Sequence, residues 1–334
     1  MKVLLINPTS HWPCGVGDFT DRLYCELLAL GTDVAVFRRP MRGFRLFHEL
    51  RITIRQCQFD AVHLQYPIGA LRPSPVQHLL PLGLKTPVIV TIHEFTQLNI
   101  LRRFSTGAFL LANRLVFTTG DELVRFRRTF PFYSSKAQIV PIGSNIPFLN
   151  GAGRHQENII VYFGLIRPNR GLDPFIELSE LSHKRNRGYI FKIIGSVPKR
   201  KHQYYLRMLE RSARLRNVQW KIGLDSQKVA EELTTSTFAY LAYPDGASKR
   251  HGSLLAALGN GAAVITRRGQ QTPADLGTAV RYANTPVEAL SIIDELVADQ
   301  TRLATLRTAA LRWVSKYSWS RIAADYNEIY QSVI

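Results

Sequence analysis

The feature that most constrains this chain is an alternation that runs from its first residues. "KVLLINP" is a continuous apolar run. An unbroken run, rather than one alternating with polar residues, marks a strand buried on both faces of a parallel sheet. "GVGDFTDRLYCELLALG" follows, with Phe19, Leu23, Leu27 and Leu30 at helical spacing and Gly31 as the stop. Then come a strand "DVAVFR", a helix "FRLFHELRITIRQCQ" and a strand "FDAVHLQYP" closed by Pro67. A short broken helix "VQHLLPLGL" leads to a strand "TPVIVTIHE". A helix over 105–112, a strand "RLVFTT", a helix over 121–129 and a strand "AQIVPIG" complete the series. Strand and helix in turn predict a parallel sheet with helices on both faces.

The rhythm breaks at "GSNIPFLNGAGRHQEN", residues 143–158, whose glycine, asparagine and proline content reads as a linker. It then resumes with "NIIVYFG", a helix over 173–184, "YIFKIIG", a helix over 200–214, "VQWKIG", a helix over 226–234, "FAYLAYP", a helix over 252–260 and "AAVITR". A chain of 334 residues exceeds one ordinary core. The reading is therefore α/β, with two doubly wound, Rossmann-like parallel-sheet domains facing a central cleft. The first spans 1–148, a linker 149–157 and the second 158–316. The last segment, 317–334, is amphipathic: Ile322, Ala323 or Tyr326, Ile329 and Val333 share one face.

Composition narrows the partners. The net charge of +18 calls for something negative: nucleic acid, an anionic membrane surface or a phosphorylated ligand. Cys14, Cys25 and Cys57 are odd in number and lack paired spacing, so they suggest neither a disulfide framework nor a zinc site. The expected setting is a reducing cytoplasm. "MKVLLINPTS" is too short an apolar run for a signal peptide. No window approaches the roughly 18 apolar residues of a membrane span. "GAFLLANRLVF" comes nearest and is broken by Asn113 and Arg114.

Open parallel sheets bind ligands beyond the C-terminal ends of their strands, so four strand ends matter most. Gly15, Val16 and Gly17 lie at a helix start, where bare backbone approaches an anion or simply makes a tight turn. Cys14 and Asp18 read as helix-start residues rather than catalysts. His93 and Glu94 end the strand "TIHE". The histidine could bond a hydroxyl or polarise a leaving oxygen; the acid could bond the histidine, bond a substrate or cap the next helix. "FGLIRPNRGLD" sets Arg167 and Arg170 between Gly164 and Gly171, which suits a diphosphate clamp or a solvated basic loop. "YPDGASKRHGSLLAALGNGAAVIT" carries Asp245, Lys249 and Arg250. It enters a helix near Gly252 and Ser253, whose amides and that of Leu254 could meet an anion, with Ser253 also a candidate N-cap.

In that order, these segments resemble the retaining glycosyltransferases of the GT-B fold, the GT4-like group, over nearly the whole chain. "CGVGDFT" is similar to the group's N-terminal glycine loop, "VIVTIHE" to its strand ending in a histidine and an acid, and "FGLIRPNRGLD" to its arginine–lysine segment with Arg170 in the lysine place. "YSWSRIAADYNEIY" looks like the C-terminal helix that crosses back to the first domain. The resemblance implies a hexosyltransferase that retains anomeric configuration by front-face attack. Arg167 and Arg170 would hold the donor diphosphate, Ser253 and Leu254 would meet the phosphates, and Gly15 to Gly17 would face the donor. His93 would contact the sugar or the acceptor. It implies neither metal nor cofactor, since fixed arginines stabilise the leaving group where other enzymes use a cation. The chain departs from the pattern at the donor-site glutamate pair, whose places are Ser248 and Ala256. Asp245 or the Lys249–Arg250 pair is the candidate replacement.

The basic stretches "FRRPMRGFRLFHELRITIR" and "LVRFRRTFPFY" interleave arginines with aromatics on the first domain. They read as solvated helix faces with core aromatics, or as a surface for anionic lipid. The expected function is transfer from a nucleotide-sugar to a saccharide or lipid-linked acceptor in cell-surface glycan synthesis, in the cytoplasm and at the inner face of the plasma membrane. Two rivals stand beside it: an inactive GT-B-like scaffold, motivated by the lost carboxylates, and a nucleic-acid binder, motivated by charge. No nucleic-acid module is recognisable in the sequence, so no such partner is expected.

Overall fold

A computed structural model describes residues 1–7, 15–39, 43–66, 75–93, 95–132, 137–149 and 156–334. The chain divides into two compact units. One is Met1–Gly143 together with Trp319–Ile334, and the other is Ser144–Ser318.

The first unit contains β1 (Lys2–Ile6), α1 (Gly15–Ala29), β2 (Asp33–Phe37), α2 (Phe44–Gln56), β3 (Ala61–Tyr66), α3 (Leu80–Gly83) and β4 (Val88–Ile92). These are followed by α4 (Ile100–Ser105), β5 (Arg114–Phe117), α5 (Gly120–Thr129) and β6 (Ala137–Ile139). All neighbouring strands pair parallel, in the order β2-β1-β3-β4-β5-β6. Continuous apolar strands form because both faces are covered. On one face Leu50 and Ile54 of α2, Leu80 of α3 and Phe126 of α5 pack on Val62, Leu64, Val90 and Ile92. On the other, Phe19, Leu23 and Leu27 of α1 pack on Val3 and Leu5. Leu23 and Leu27 are fully buried, which contributes about 1.5–3 kcal/mol for each side chain. Helix starts follow local chemistry: the side chains of Asn99 and Thr119 accept the amides of Arg102 and Glu122 at the heads of α4 and α5. The expected helix over 105–112 begins earlier, at Ile100, where Asn99 supplies the cap. It passes into a 3-10 turn at Thr106–Leu111.

The second unit contains β7 (Gln156–Leu165), α6 (Leu172–Lys184), β8 (Ile190–Ser196), α7 (His202–Ser212), β9 (Val218–Ile222), α8 (Ser226–Thr235) and β10 (Ser236–Leu241). Then follow α9 (Gly252–Gly259), β11 (Ala263–Thr266), β12 (Val280–Tyr282), α10 (Pro286–Ala298) and α11 (Gln300–Val314). The order is β12-β11-β10-β7-β8-β9, again all parallel. Residues 144–149 belong to this unit. Ile146 and Phe148 pack on its core, and the Leu149 amide donates to Asn260 Oδ1 at 3.0 Å. Asn260 also donates to the Pro147 carbonyl at 3.1 Å. Three elements were not anticipated from sequence: β12, α10 and α11. Thr285 and Asp299 cap the two helices, and Pro286 stands at the first helical position of α10.

The last helix, α12 (Trp319–Gln331), lies in the first unit. Ile322, Ala323, Tyr326, Ile329 and Tyr330 are buried against the α1 side of the sheet. The Thr32 hydroxyl donates to Asn327 Oδ1 at 2.8 Å.

Candidate functional site

In the second unit the chain leaves β7 to lay down β8 and β9 on one side, then returns to place β10 on the other side of β7. Loops leaving the two adjacent strand ends diverge there, which opens the crevice where such sheets bind ligands. The loop after β7 holds Arg167 and Arg170. The loop after β10 holds Asp245, Lys249, Arg250 and the entry to α9.

The arginine loop is fastened from below. Tyr162 donates its hydroxyl between the carbonyls of Leu165 and Arg170, at 3.2 Å to each. Burial raises this phenol well above its ordinary range, so it stays a donor at neutral pH. Gly171 has φ +87°, and a Cβ there would stand 2.8 Å from the Ala242 carbonyl oxygen, so only glycine lets the two loops meet. Gly164 pairs with Gly195 across β7 and β8, and a Cβ on Gly195 would fall 2.0 Å from the Gly164 carbonyl oxygen. Sequence reasoning named Gly164 and missed Gly195, whose need for bareness arises only across strands. The Arg167 side chain is half-buried, and its Nε is buried without a hydrogen-bond partner among the described residues.

The second loop contributes a residue that sequence reasoning did not single out. His251 stacks on Tyr243, with ring centroids 3.8 Å apart and planes 12° from parallel. Its Nδ1 accepts the Ser248 amide at 3.1 Å. Burial first, then the Arg170 charge, lower this imidazole to about 4, with Asp245 opposing. A neutral ring accepting at Nδ1 carries its proton on Nε2. His251 also occupies the N-cap position of α9, without a side-chain capping bond, so Ser253 is not the N-cap; Ser253 lies in the first turn, its hydroxyl 2.7 Å from that of Tyr243. The Leu254 amide donates to the His251 carbonyl at 3.0 Å because the first turn is tight. Gly252 and Ser253 are the amides at this terminus that make no backbone bond among the described residues. Asp245, Lys249 and Arg250 are exposed. Gly246, at φ +82°, presses against Gly269, which ties this loop to the one after β11. Ser248 and Ala256, in the places of the glutamate pair, are both buried.

In the first unit Gly15, Val16 and Gly17 form the first turn of α1 rather than a loop before it, and the Val16 carbonyl accepts the Thr20 hydroxyl at 2.7 Å. Cys14 and Glu94 lie outside the described residues. His93 is 4% exposed at the end of β4, edge-on to the Phe19 ring. Its Nε2 lies 2.9 Å from Gln65 Oε1. Gln65 Nε2 is 3.1 Å from His63 Nε2 and 3.4 Å from His63 Nδ1. His63 in turn lies 2.7 Å from both the Thr91 and Tyr330 hydroxyls, and Thr91 is 2.9 Å from the Tyr326 hydroxyl. Burial lowers His93 to about 4, and burial with the His93 charge lowers His63 to about 3. The turn after His93 is held by Glu122 of α5, whose carboxylate accepts the Thr96 amide at 2.7 Å and the Thr96 hydroxyl at 2.9 Å.

The basic stretches divide. Phe37 and Phe47 pack on the core and Phe126 is fully buried, while Phe44 is exposed. Arg38 and Arg39 pair with Asp21 and Glu49, at 2.5 and 3.6 Å. Exposed apolar residues gather elsewhere in the unit. Ile100, Leu101 and Phe104 project from α4, Phe104 meets Phe130 edge-on, and Phe132 is 99% exposed. No helix among the described residues is long and apolar enough to cross a membrane. Among the described residues, no three His, Cys, Asp or Glu side chains cluster in a way that could hold a metal ion.

No family model matches the sequence, and no curated protein sequence matches it. Solved structures do. A glycosyltransferase from Rickettsia africae ESF-5 superposes with a TM-score of 0.75 at 14% identity, covering 99% of this chain and 98% of that one. Anabaena Alr3699/HepE in complex with UDP gives 0.70 at 13% identity, covering 99% and 100%. The pneumococcal O-GlcNAc transferase GtfA in complex with UDP and GlcNAc gives 0.57 at 12% identity, covering 85% and 59%. Two six-stranded parallel sheets flanked by helices, in this order and over this length, are the α/β GT-B fold that the chain shares with these glycosyltransferases.

Proposed function

We propose that the chain is a retaining, metal-independent glycosyltransferase of the GT4-like group, which moves a sugar from a nucleotide-sugar to a saccharide or lipid-linked acceptor in cell-surface glycan synthesis. The observation that carries this reading is the crevice between the β7 and β10 loops. It brings the Arg170 charge to His251 at the head of α9, where two amides make no backbone bond, and Arg167 lies on the same loop as Arg170, a combination suited to a diphosphate. A departing nucleoside diphosphate gains charge as the glycosidic bond breaks. Arg167 and Arg170 would stabilise that charge without a cation, and the neutral His251 would add a donor where an anionic side chain would repel. His93 would meet the sugar or the acceptor, and Glu94, Gly15, Val16 and Gly17 are the other residues proposed to take part. The similar structures that hold UDP favour a uridine nucleotide as the first ligand to test. No organic cofactor is proposed.

The test is a thermal-shift panel of nucleoside diphosphates, followed by calorimetry and by transfer from labelled sugar nucleotides. UDP should stabilise the wild type and lose most of its effect in Arg167→Met and Arg170→Met. Stabilisation by no nucleotide, or equal stabilisation of both variants, refutes the site. The buried Ser248 and Ala256 in the carboxylate places favour one second reading, a nucleotide-binding scaffold without transfer. Binding without turnover on any donor would establish it. We also infer that the first unit meets anionic lipid at the inner face of the plasma membrane, through Ile100, Leu101, Phe104 and Phe132 with the exposed Arg127 and Arg128 of α5. Leu101→Ser combined with Phe132→Ser should abolish sedimentation with phosphatidylglycerol vesicles; retained sedimentation refutes this surface.

A further inference from the structure

One face of the first unit's sheet is polar where it is most deeply buried. His63 and Gln65 alternate on β3, Thr91 pairs with Gln65 on β4, and His93 follows two residues on. Tyr326 and Tyr330 of α12 cover them, with Phe19 of α1 beside His93. Buried polar groups persist only when each has a partner, and here the partners form one chain.

The direction of that chain follows from its ends. Both in-plane positions of His63 are taken, one by Thr91 and one by Tyr330, at 2.7 Å each. The Gln65 side-chain nitrogen stands nearly equidistant from the two ring nitrogens, at 3.1 and 3.4 Å, so it sits over the ring face rather than in its plane. The face of a neutral aromatic ring is electron-rich. It attracts an N–H and repels a carbonyl oxygen. The Gln65 amide therefore turns its NH2 group to His63 and its oxygen to His93. An amide oxygen only accepts, so the proton between them belongs to His93 Nε2.

We propose that Gln65 and His63 are positioning residues that lock His93 as the Nε2–H tautomer, leaving Nδ1 as an acceptor for a ligand hydroxyl. His93 Nδ1 has no hydrogen-bond partner among the described residues. A lone pair there suits a sugar hydroxyl, which can donate, and repels a phosphate oxygen, which cannot. The lone pair therefore selects a hydroxylated ligand over an anionic one. The assignment rests on the proposed sugar contact only for what Nδ1 meets. Because α12 supplies Tyr330, the lock also makes the last helix a support for a residue at the end of β4.

Long-range proton–nitrogen NMR of protein labelled at the histidine rings reads the tautomer directly, with His93→Gln assigning the signal. The wild type at neutral pH should show a pyrrole-type Nε2 and a pyridine-type Nδ1. Gln65→Met removes the accepting oxygen and should move both nitrogens toward a tautomer mixture; Gln65→Glu keeps an acceptor and should restore the wild-type pair. His63→Leu removes the ring face and should also release the lock. A pyridine-type Nε2 in the wild type overturns the proposal, as does a signal indifferent to both Gln65→Met and His63→Leu. If neither variant folds, the wild-type signal alone decides. UDP-glucose should shift Nδ1 while UDP leaves it in place. A locked tautomer that ignores UDP-glucose, in protein that binds it, retires the sugar contact and leaves the lock standing.

Discussion

Acidification should weaken the first unit by an amount that the buried histidines set. His63 and His93 fold with imidazoles held at about 3 and about 4, chiefly by burial. In the unfolded chain both return to about 6.5. The folded state therefore binds fewer protons than the unfolded one between these values, and stability falls as pH drops below about 6.5. From pH 7 to pH 5 each imidazole gains its proton only on unfolding, which costs about 2 kcal/mol per residue at 25 °C. The figure hardly depends on the folded pKa, because any value at or below about 4 leaves the folded ring neutral at pH 5. Hydrogen exchange across a urea series, read on peptides from β3 and β4, reports the unfolding free energy of this unit. The wild type should lose about 4 kcal/mol from these two residues between the two pH values. His63→Phe forfeits the bonds to Thr91 and Tyr330 and is less stable throughout, yet its loss on acidification should be smaller by about 2 kcal/mol. That difference between differences isolates titration from packing. If His63→Phe keeps the full wild-type pH dependence, His63 is not buried neutral and the network is wrongly drawn.

Four further outcomes follow from particular contacts. Arg167→Met and Arg170→Met should each weaken UDP binding by about 1.5–3 kcal/mol, the range for a hydrogen bond to a charged group, as read by calorimetry. Arg170→Met should in addition raise the His251 imidazole from about 4, since the Arg170 charge is the second cause of its depression; an NMR titration checks this. Gly171→Ala, at φ +87° and 2.8 Å from the Ala242 oxygen, should cost about 1–3 kcal/mol and lower the melting temperature, whereas Gly188→Ala, with open space around it, should change little. Glu122→Ala strands the amide and hydroxyl of Thr96 and should destabilise by about 3 kcal/mol, with exchange protection lost first in the turn after His93.

Much of the candidate site was already visible in the strand ends. "FGLIRPNRG" and "KRHGSLL" could be placed after strands because a change of period from continuous apolar to helical is a local signal, and the ligand edge of a parallel sheet follows from it. His251 was not visible. Nothing in its neighbours along the chain shows that Tyr243 will stack on it or that Arg170 will approach it. The polar face at His63, Gln65 and Thr91 was hidden for a related reason: "AVHLQY" and "VIVTI" read as apolar strands, and their polar residues find partners only on α12, far along the chain. The exposed residues of α4 escaped notice because an apolar residue in a short helix ordinarily signals core.

By itself the sequence determined two parallel sheets, where most of their helices fall and which loops carry positive charge, because periodicity, caps and glycine turns act within a few residues. Only the tertiary structure decided that β10 lies against β7, that the Leu254 amide is already taken while those of Gly252 and Ser253 are not, and that His93 is held by a chain of bonds reaching the last helix. Each of these depends on backbone and side-chain approach between segments far apart in sequence, and the distances and burial that settle it do not exist until the sheets have formed.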